Sequence, residues 1–233
     1  MQGKAEFDSY VGTYDADHRK SIRLSGESPD FFADYKIAAL ARMVRNKGLR
    51  ADRILDFGAG IGNSLPPFRR HFPDADLTLS DVSQDSLDLA AEKYGAKEEQ
   101  LHIRAGRLPA ENDSFDIVFS ACVFHHIPEK EHIGWLEELR RITRPGGRLV
   151  VFEHNPWNPL TQHAVANCPF DENAVLISGP ELARRFARAS WARPAIQYHM
   201  FFPSPLATLR RFEPFLGFCP LGAQYACIGE APR

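Results

Sequence analysis

The stretch Arg53-Ile54-Leu55-Asp56-Phe57-Gly58-Ala59-Gly60-Ile61-Gly62-Asn63-Ser64 decides the fold. An apolar run, Ile54 to Phe57, carries one acid inside it, and glycines then fall at alternate positions 58, 60 and 62. The pattern reads as a first parallel strand, a tight turn and a helix N-terminus, with Asn63 and Ser64 offered as caps. Glycine suits such a turn because it takes positive φ without a Cβ penalty and lets a ligand approach the backbone. The free N–H groups of the following helix favour an anionic part of that ligand.

Reading downstream, Pro66 and Pro67 fit only the first turn of a helix, where N–H groups have no intrahelical partner; the helix runs to about His71. Asp76–Asp81 reads as a second strand ending in an acid, 19 positions beyond Gly62. A carboxylate at that place suits the two hydroxyls of a ribose, or else is a solvated loop acid. Ser83 caps a helix that Gly95 stops, and Leu101-His102-Ile103 is a short third strand. Leu108-Pro109 and Ser114-Phe115-Asp116-Ile117-Val118 lead into a fourth strand, which Ser120 to Pro128 closes. A helix over Ile133–Ile142 ends at Arg144-Pro145-Gly146-Gly147, and Arg148–Glu153 is the fifth strand.

The D-x-G-x-G-x-G spacing of Asp56 to Gly62 resembles motif I of the class I S-adenosylmethionine-dependent methyltransferases. The segment Leu108 to Val118 is similar to that family's L-P-F-x-x-x-S-F-D-x-V, and the R-P-G-G turn before an apolar strand is similar too. The resemblance covers residues 51–155 strongly and the remainder in element order alone. It implies a Rossmann-like, doubly wound α/β sheet of seven strands, the last antiparallel and beside the fifth, with S-adenosylmethionine as methyl donor and S-adenosylhomocysteine as product. It further implies that Asp56, Gly58, Ala59, Gly60 and Gly62 form the turn beside the donor's amino-acid part. Asp81 would hold the ribose, Val82 would lie against the adenine, and Ala121 would offer a carbonyl to the donor's amino group. An acid usually faces the adenine where Arg104 stands here, so backbone near Ala105 is expected to read the ring instead.

Outside the motifs, Ser28-Pro29 opens a helix through Phe31, Tyr35, Ile37, Leu40 and Val44, ended at Lys47-Gly48. Residues 1–50 read as an N-terminal cap over the cofactor pocket, or as a solvated arm plus one packing helix; 51–233 read as the Rossmann domain. Thr161–Cys168 suggests a short helix, Ser178-Gly179-Pro180-Glu181 a capping box, Gln197–Phe202 a sixth strand and Gln224–Gly229 a last strand, antiparallel at the sheet edge. Residues 203–222 carry Pro203, Pro205, Pro214 and Pro220 with Phe212, Phe215 and Phe218. The reading there is a stiff irregular segment giving an apolar surface over the acceptor pocket or at a homodimer interface, or one buried against the sheet.

Composition narrows the function classes. The 233 residues carry a net charge of −2 without a basic block, which gives no reason to expect a nucleic-acid partner. The four cysteines form no C-x-x-C pair and no Cys/His spacing of a zinc site, so no metal is expected. The N-terminal residues lack a signal-peptide core, and no run has the length of a membrane span; the expected location is the cytoplasm.

The leading reading is a methyltransferase for a small-molecule or glycan/lipid-linked acceptor, with O-methylation favoured. The alternatives are a nicotinamide-dependent oxidoreductase, against which the glycine spacing argues, and a non-catalytic methyltransferase-like binding protein. The acceptor is expected at the carboxyl ends of strands four and five, roofed by Tyr14 or His18, with Trp157 stacking on it or packing on its loop. His154 is the first choice as general base, because neutral imidazole takes a proton near neutral pH, and His126 is second. Glu153 either orients a histidine or merely ends its strand.

Overall fold

The computed structural model describes residues 19–233, so the expectations for Tyr14 and His18 lie outside the described residues. One seven-stranded sheet has the order β3-β2-β1-β4-β5-β7-β6. Its strands are β1 (Arg53–Phe57), β2 (Asp76–Asp81), β3 (Glu99–His102), β4 (Phe115–Ala121), β5 (Thr143–His154), β6 (Ala192–His199) and β7 (Gln224–Glu230). The first five run parallel, and β7 pairs antiparallel with both β5 and β6. β7 thus lies inside the sheet beside β5, as the family resemblance implies; the expectation that it stands at the sheet edge is corrected, because β6 pairs with its other side and is the outermost strand at that end.

Both faces of the sheet are covered, which is why the parallel strands read as continuous apolar runs rather than alternating ones. Leu55, Phe57, Val118 and Val151 face helices α4 (His132–Ile142) and α6 (Gly179–Arg188) through Leu136, Leu139, Leu182 and Phe186. The alternate residues Ile54, Ile117, Phe119 and Phe152 face α1 (Pro29–Lys47) and α2 (Leu65–His71) through Ile37, Leu40, Val44 and Phe68. Helix α3 (Gln84–Tyr94) covers β2 with Leu87 and Ala90, and α5 (Pro159–Ala166) follows β5. Helix α1 is therefore part of the sheet's own packing.

At the amino ends of the strands, the buried Asp116 accepts from the backbone N–H groups of Asp52 (3.0 Å) and Arg53 (2.9 Å) and pairs with Arg144 at 2.8 Å. One carboxylate thereby ties the entry to β1, the start of β4 and the Arg144–Gly147 turn together.

Three local expectations change. Neither Asn63 nor Ser64 caps α2: the Ser64 hydroxyl donates to Asp56, and Asn63 Oδ1 accepts from Lys93 and Tyr94. β6 begins and ends earlier than expected, because Met200 at φ +61° turns the chain out of the sheet just where the apolar residues continue. Finally, Ser204–Phe215 forms 3-10 turns rather than an irregular segment; proline at its start costs no hydrogen bond there. This segment is strapped to α1. The buried Glu213 accepts from the Tyr35 hydroxyl and from the backbone N–H groups of Phe201 (2.9 Å) and Phe202 (3.2 Å).

Candidate active site

In open parallel sheets, ligands bind off the carboxyl ends of the strands where the strand order reverses, here between β1 and β4. A cavity of about 880 Å³ lies there. Its floor is the turn 58–62. Gly58 and Gly62 stand at φ +76° and +77°, and a Cβ on them would meet Val123 at 2.3 Å and Ala90 at 2.8 Å. A Cβ on Gly60 would meet nothing within 4 Å, so that stretch of backbone lies open to whatever fills the cavity.

Asp81 lies beside the turn. One of its carboxylate oxygens accepts from Gly60 N–H at 2.8 Å and the other from Ser83 N–H at 2.9 Å. A carboxylate offers about four lone-pair sites, so these donors do not exhaust it. Val82, largely exposed, and the Arg104–Arg107 turn, with Ala105 at φ +50°, line the same side. Asp56 is buried at the end of β1. Burial pushes its carboxyl up to about 7, with the Ser64 hydroxyl and Lys36 opposing and Asp81 reinforcing the shift.

Across the cavity, Ala121 ends β4 and Cys122 follows at φ +60°, its N–H bonded to Phe152 O at 2.8 Å. The Cys122 thiol faces the Lys36 ammonium at 3.5 Å and the Gln224 amide at 3.8 Å. Gln224 lies in turn 3.5 Å from His154 Nδ1. Burial raises the Cys122 thiol, but His154 and Lys36 more than offset it and bring it down to about 7. Burial opposes the His154 imidazolium, and the adjoining Cys122 overcomes this and raises its pKa. The expectation of a neutral imidazole base therefore meets a thiol–imidazole pair, in which each group favours the charged form of the other.

We expect Cys122 to alkylate with a pH midpoint near 7, the rate rising with thiolate as pH rises through that value. Iodoacetamide labelling read by mass spectrometry across pH checks this; a midpoint at the ordinary thiol value would dismiss the pairing.

The other expected residues divide. His126 lines the cavity, with Nε2 3.3 Å from Asp171. Glu153 does not reach the cavity: it is fully buried and accepts from Val123 and Phe124 N–H groups at 3.1 and 2.8 Å, with its second oxygen 2.6 Å from His125 Nδ1. It therefore orients His125, not His154, and its carboxyl is held below the usual range, the two histidines outweighing burial. Trp157 lies outside the cavity wall and packs on Tyr198, ring centroids 6.5 Å apart.

Sequence reasoning missed Cys122, Lys36, Gln224 and the buried His125. Cys122 and His125 flank the expected His126 in the loop after β4, so position alone could have marked them. Lys36 and Gln224 come from α1 and β7, far off in sequence, and carried no such signal.

A glycine turn open to a cavity, with a carboxylate at the next strand end, defines a nucleoside-type cofactor site on a doubly wound sheet. Residues 54–147 match the family model described as a methyltransferase domain. With this match and the relatives below, residues 54–147 carry a methyltransferase domain, in line with the resemblance to class I S-adenosylmethionine-dependent methyltransferases. It is 35% identical over 107 residues to a demethylmenaquinone methyltransferase of Deinococcus radiodurans, covering 45% of this chain and 44% of that one. The chain thus spans about half the length of the curated relatives it matches first.

Two solved structures share the fold. One is an S-adenosylmethionine-dependent methyltransferase of Thermotoga maritima, with a TM-score of 0.68 and 18% identity over 97% of this chain and 98% of that one. The other is phosphoethanolamine N-methyltransferase 2 of Haemonchus contortus in complex with S-adenosyl-L-methionine, with a TM-score of 0.65 and 14% identity over 100% of this chain and 61% of that one. Among the described residues no helix is long and apolar enough to cross a membrane.

Proposed function

We propose that this chain transfers the methyl group of S-adenosylmethionine to an oxygen of a small-molecule or glycan/lipid-linked acceptor. The observation that carries this reading is a single cavity lined at one end by Asp56, Gly58–Ile61 and Asp81, and at the other by Cys122, His154 and Gln224. The donor's adenosine would lie along Asp81, Val82 and Ala105, its amino-acid part along Asp56 to Gly62 and Ala121. Its methyl would then point at the thiol–imidazole pair. Methyl transfer to an alcohol or phenol is an in-line displacement at the sulfonium carbon. The oxygen–carbon bond forms as the sulfur–carbon bond breaks, and the acceptor proton must leave. On this reading the Cys122–His154 pair would receive that proton.

A second reading, transfer to carbon, is favoured by the demethylmenaquinone methyltransferase among the relatives. It uses the same donor site and the same base. Incubation with labelled donor and panels of phenols, sugars and hydroquinones decides between them through acceptor-dependent release of S-adenosylhomocysteine and the mass spectrum of the product. Donor binding with no release from any panel member would favour a binding protein, and tight NADH binding would favour the oxidoreductase alternative.

The buried Asp56 makes donor binding depend on pH. A donor carrying sulfonium and ammonium charges favours the carboxylate, so binding releases the proton that Asp56 holds below about 7. Affinity should therefore rise with pH up to that value, by at most about tenfold per unit, and then level off. Calorimetry between pH 5.5 and 8 tests it, and Asp56→Asn should flatten the profile.

A further inference from the structure

We infer that His125, His126 and Asp171 form a binding site for one divalent transition-metal ion of the zinc class, at the wall of the acceptor end of the cavity. His125 and His126 lie in a 3-10 turn directly after β4, and Asp171 ends the turn Pro169–Asp171. That second segment is held against the first by a hydrogen bond from Val175 N–H to His125 O, 2.9 Å. Asp171 Oδ1 lies 3.5 Å from His125 Nε2 and 3.3 Å from His126 Nε2. Metal bonds of about 2.0–2.2 Å at a tetrahedral centre set neighbouring ligand atoms about 3.3–3.6 Å apart. Both separations fall in that interval, and one atom from each of the three residues lies within 4.8 Å of the others.

The state of His125 is what points to a ligand. The residue is 2% exposed, and its Nε2 makes no hydrogen bond; it meets Asp171 Oδ1 only as an ion-pair contact at 3.5 Å. A buried nitrogen that makes no hydrogen bond is costly, and native structures rarely keep one without a reason. Its other nitrogen, Nδ1, is held at 2.6 Å by Glu153, which two backbone N–H groups fix in place. A carboxylate bonded to the far nitrogen of a histidine is the usual outer support of a metal-bound imidazole; it sets the tautomer and aims the near nitrogen at the ion.

Charge is consistent with this arrangement, since a divalent ion would balance the carboxylates of Asp171 and Glu153. Two histidines and one carboxylate leave at least one coordination position open. Of the three ligands only His126 lines the cavity, so that position would be reached from the acceptor side. No spacing in the chain marks this site, because His125 and His126 are adjacent and Asp171 follows 45 positions later, unlike any zinc spacing.

The test uses the whole chain and reads metal directly, so it does not depend on any acceptor being methylated. Protein stripped with a chelator, exposed to Zn²⁺ and desalted should retain about one ion per chain, and Co²⁺ should give the visible bands of a low-symmetry site. Asp171→Asn and His126→Gln should each weaken Zn²⁺ binding at least as much as the roughly 10–100-fold expected of Glu153→Gln, which removes only the outer support. Circular dichroism confirms that each variant is folded. His125→Gln is not relied on, because its site is buried. Wild-type protein holding no more zinc than a metal-free control would overturn the site. So would Asp171→Asn and His126→Gln variants that bind zinc as tightly as wild type.

Discussion

His154→Ala should lower methyl transfer by about 10²–10⁴-fold, the usual cost of removing a general base, while leaving donor affinity nearly unchanged. The expectation follows from the Cys122 pairing. His154 is the first of the groups that offset burial and depress the thiol, so its loss should both remove the imidazole and return Cys122 toward an ordinary thiol. The remaining activity should therefore shift its pH dependence upward. Cys122→Ser should separate the partners: it keeps a hydrogen-bonding group of similar size but removes the acidic proton, so burial acts on His154 without the opposing thiolate and its pKa should fall. Turnover of His154→Ala within about twofold of wild type would dismiss the base, whereas loss of donor binding would move His154 into the cofactor pocket.

The second large effect is expected at Asp81. If Asp81 holds the donor as proposed, replacement by Ala would leave two ribose hydroxyls without their acceptor, at about 1.5–3 kcal/mol, or on the order of tenfold or more in donor affinity. The same change deprives the Gly60 and Ser83 N–H groups of their carboxylate and loosens the turn itself. Asp81→Asn serves as the control, since its one amide oxygen still satisfies one of these donors. Calorimetry should rank wild type above Asn and Asn above Ala. Unchanged binding in Asp81→Ala would remove the ribose assignment.

The parts of the fold legible in the sequence were those governed by local chemistry. Ser28, Ser83 and Ser178 each accept from the N–H group three residues on, as read, and β2 spans Asp76–Asp81 as expected. Ser64 failed as a cap because a buried carboxylate, Asp56, claimed its hydroxyl; no local pattern discloses that competition. At the site, the glycine turn and Asp81 were visible because their spacing is fixed by short connections. The partners of Cys122 were not, since Lys36 and Gln224 arrive from elements 86 and 102 residues away. Of the aromatics in 203–222, Phe212, Phe215 and Phe218 are exposed at 45%, 74% and 83% instead of buried against the sheet, and none of them lines the cavity; the rings that do are Phe201 and Phe202, just before the segment.

Asp116 separates two kinds of information carried by one signature. It is the acid of the Ser114-Phe115-Asp116 segment through which the family is recognised, yet it lies at the opposite end of the sheet from the cavity and binds backbone N–H groups, Arg144 and, at 3.6 Å, Arg50. In a deep mutational scan its substitutions should therefore register as lost abundance, from a folding penalty on the order of 1–3 kcal/mol, while molecules that do fold retain wild-type donor affinity. A scan scored on abundance and ligand binding together would set Asp116 apart from Asp81, although a motif search weighs both acids alike.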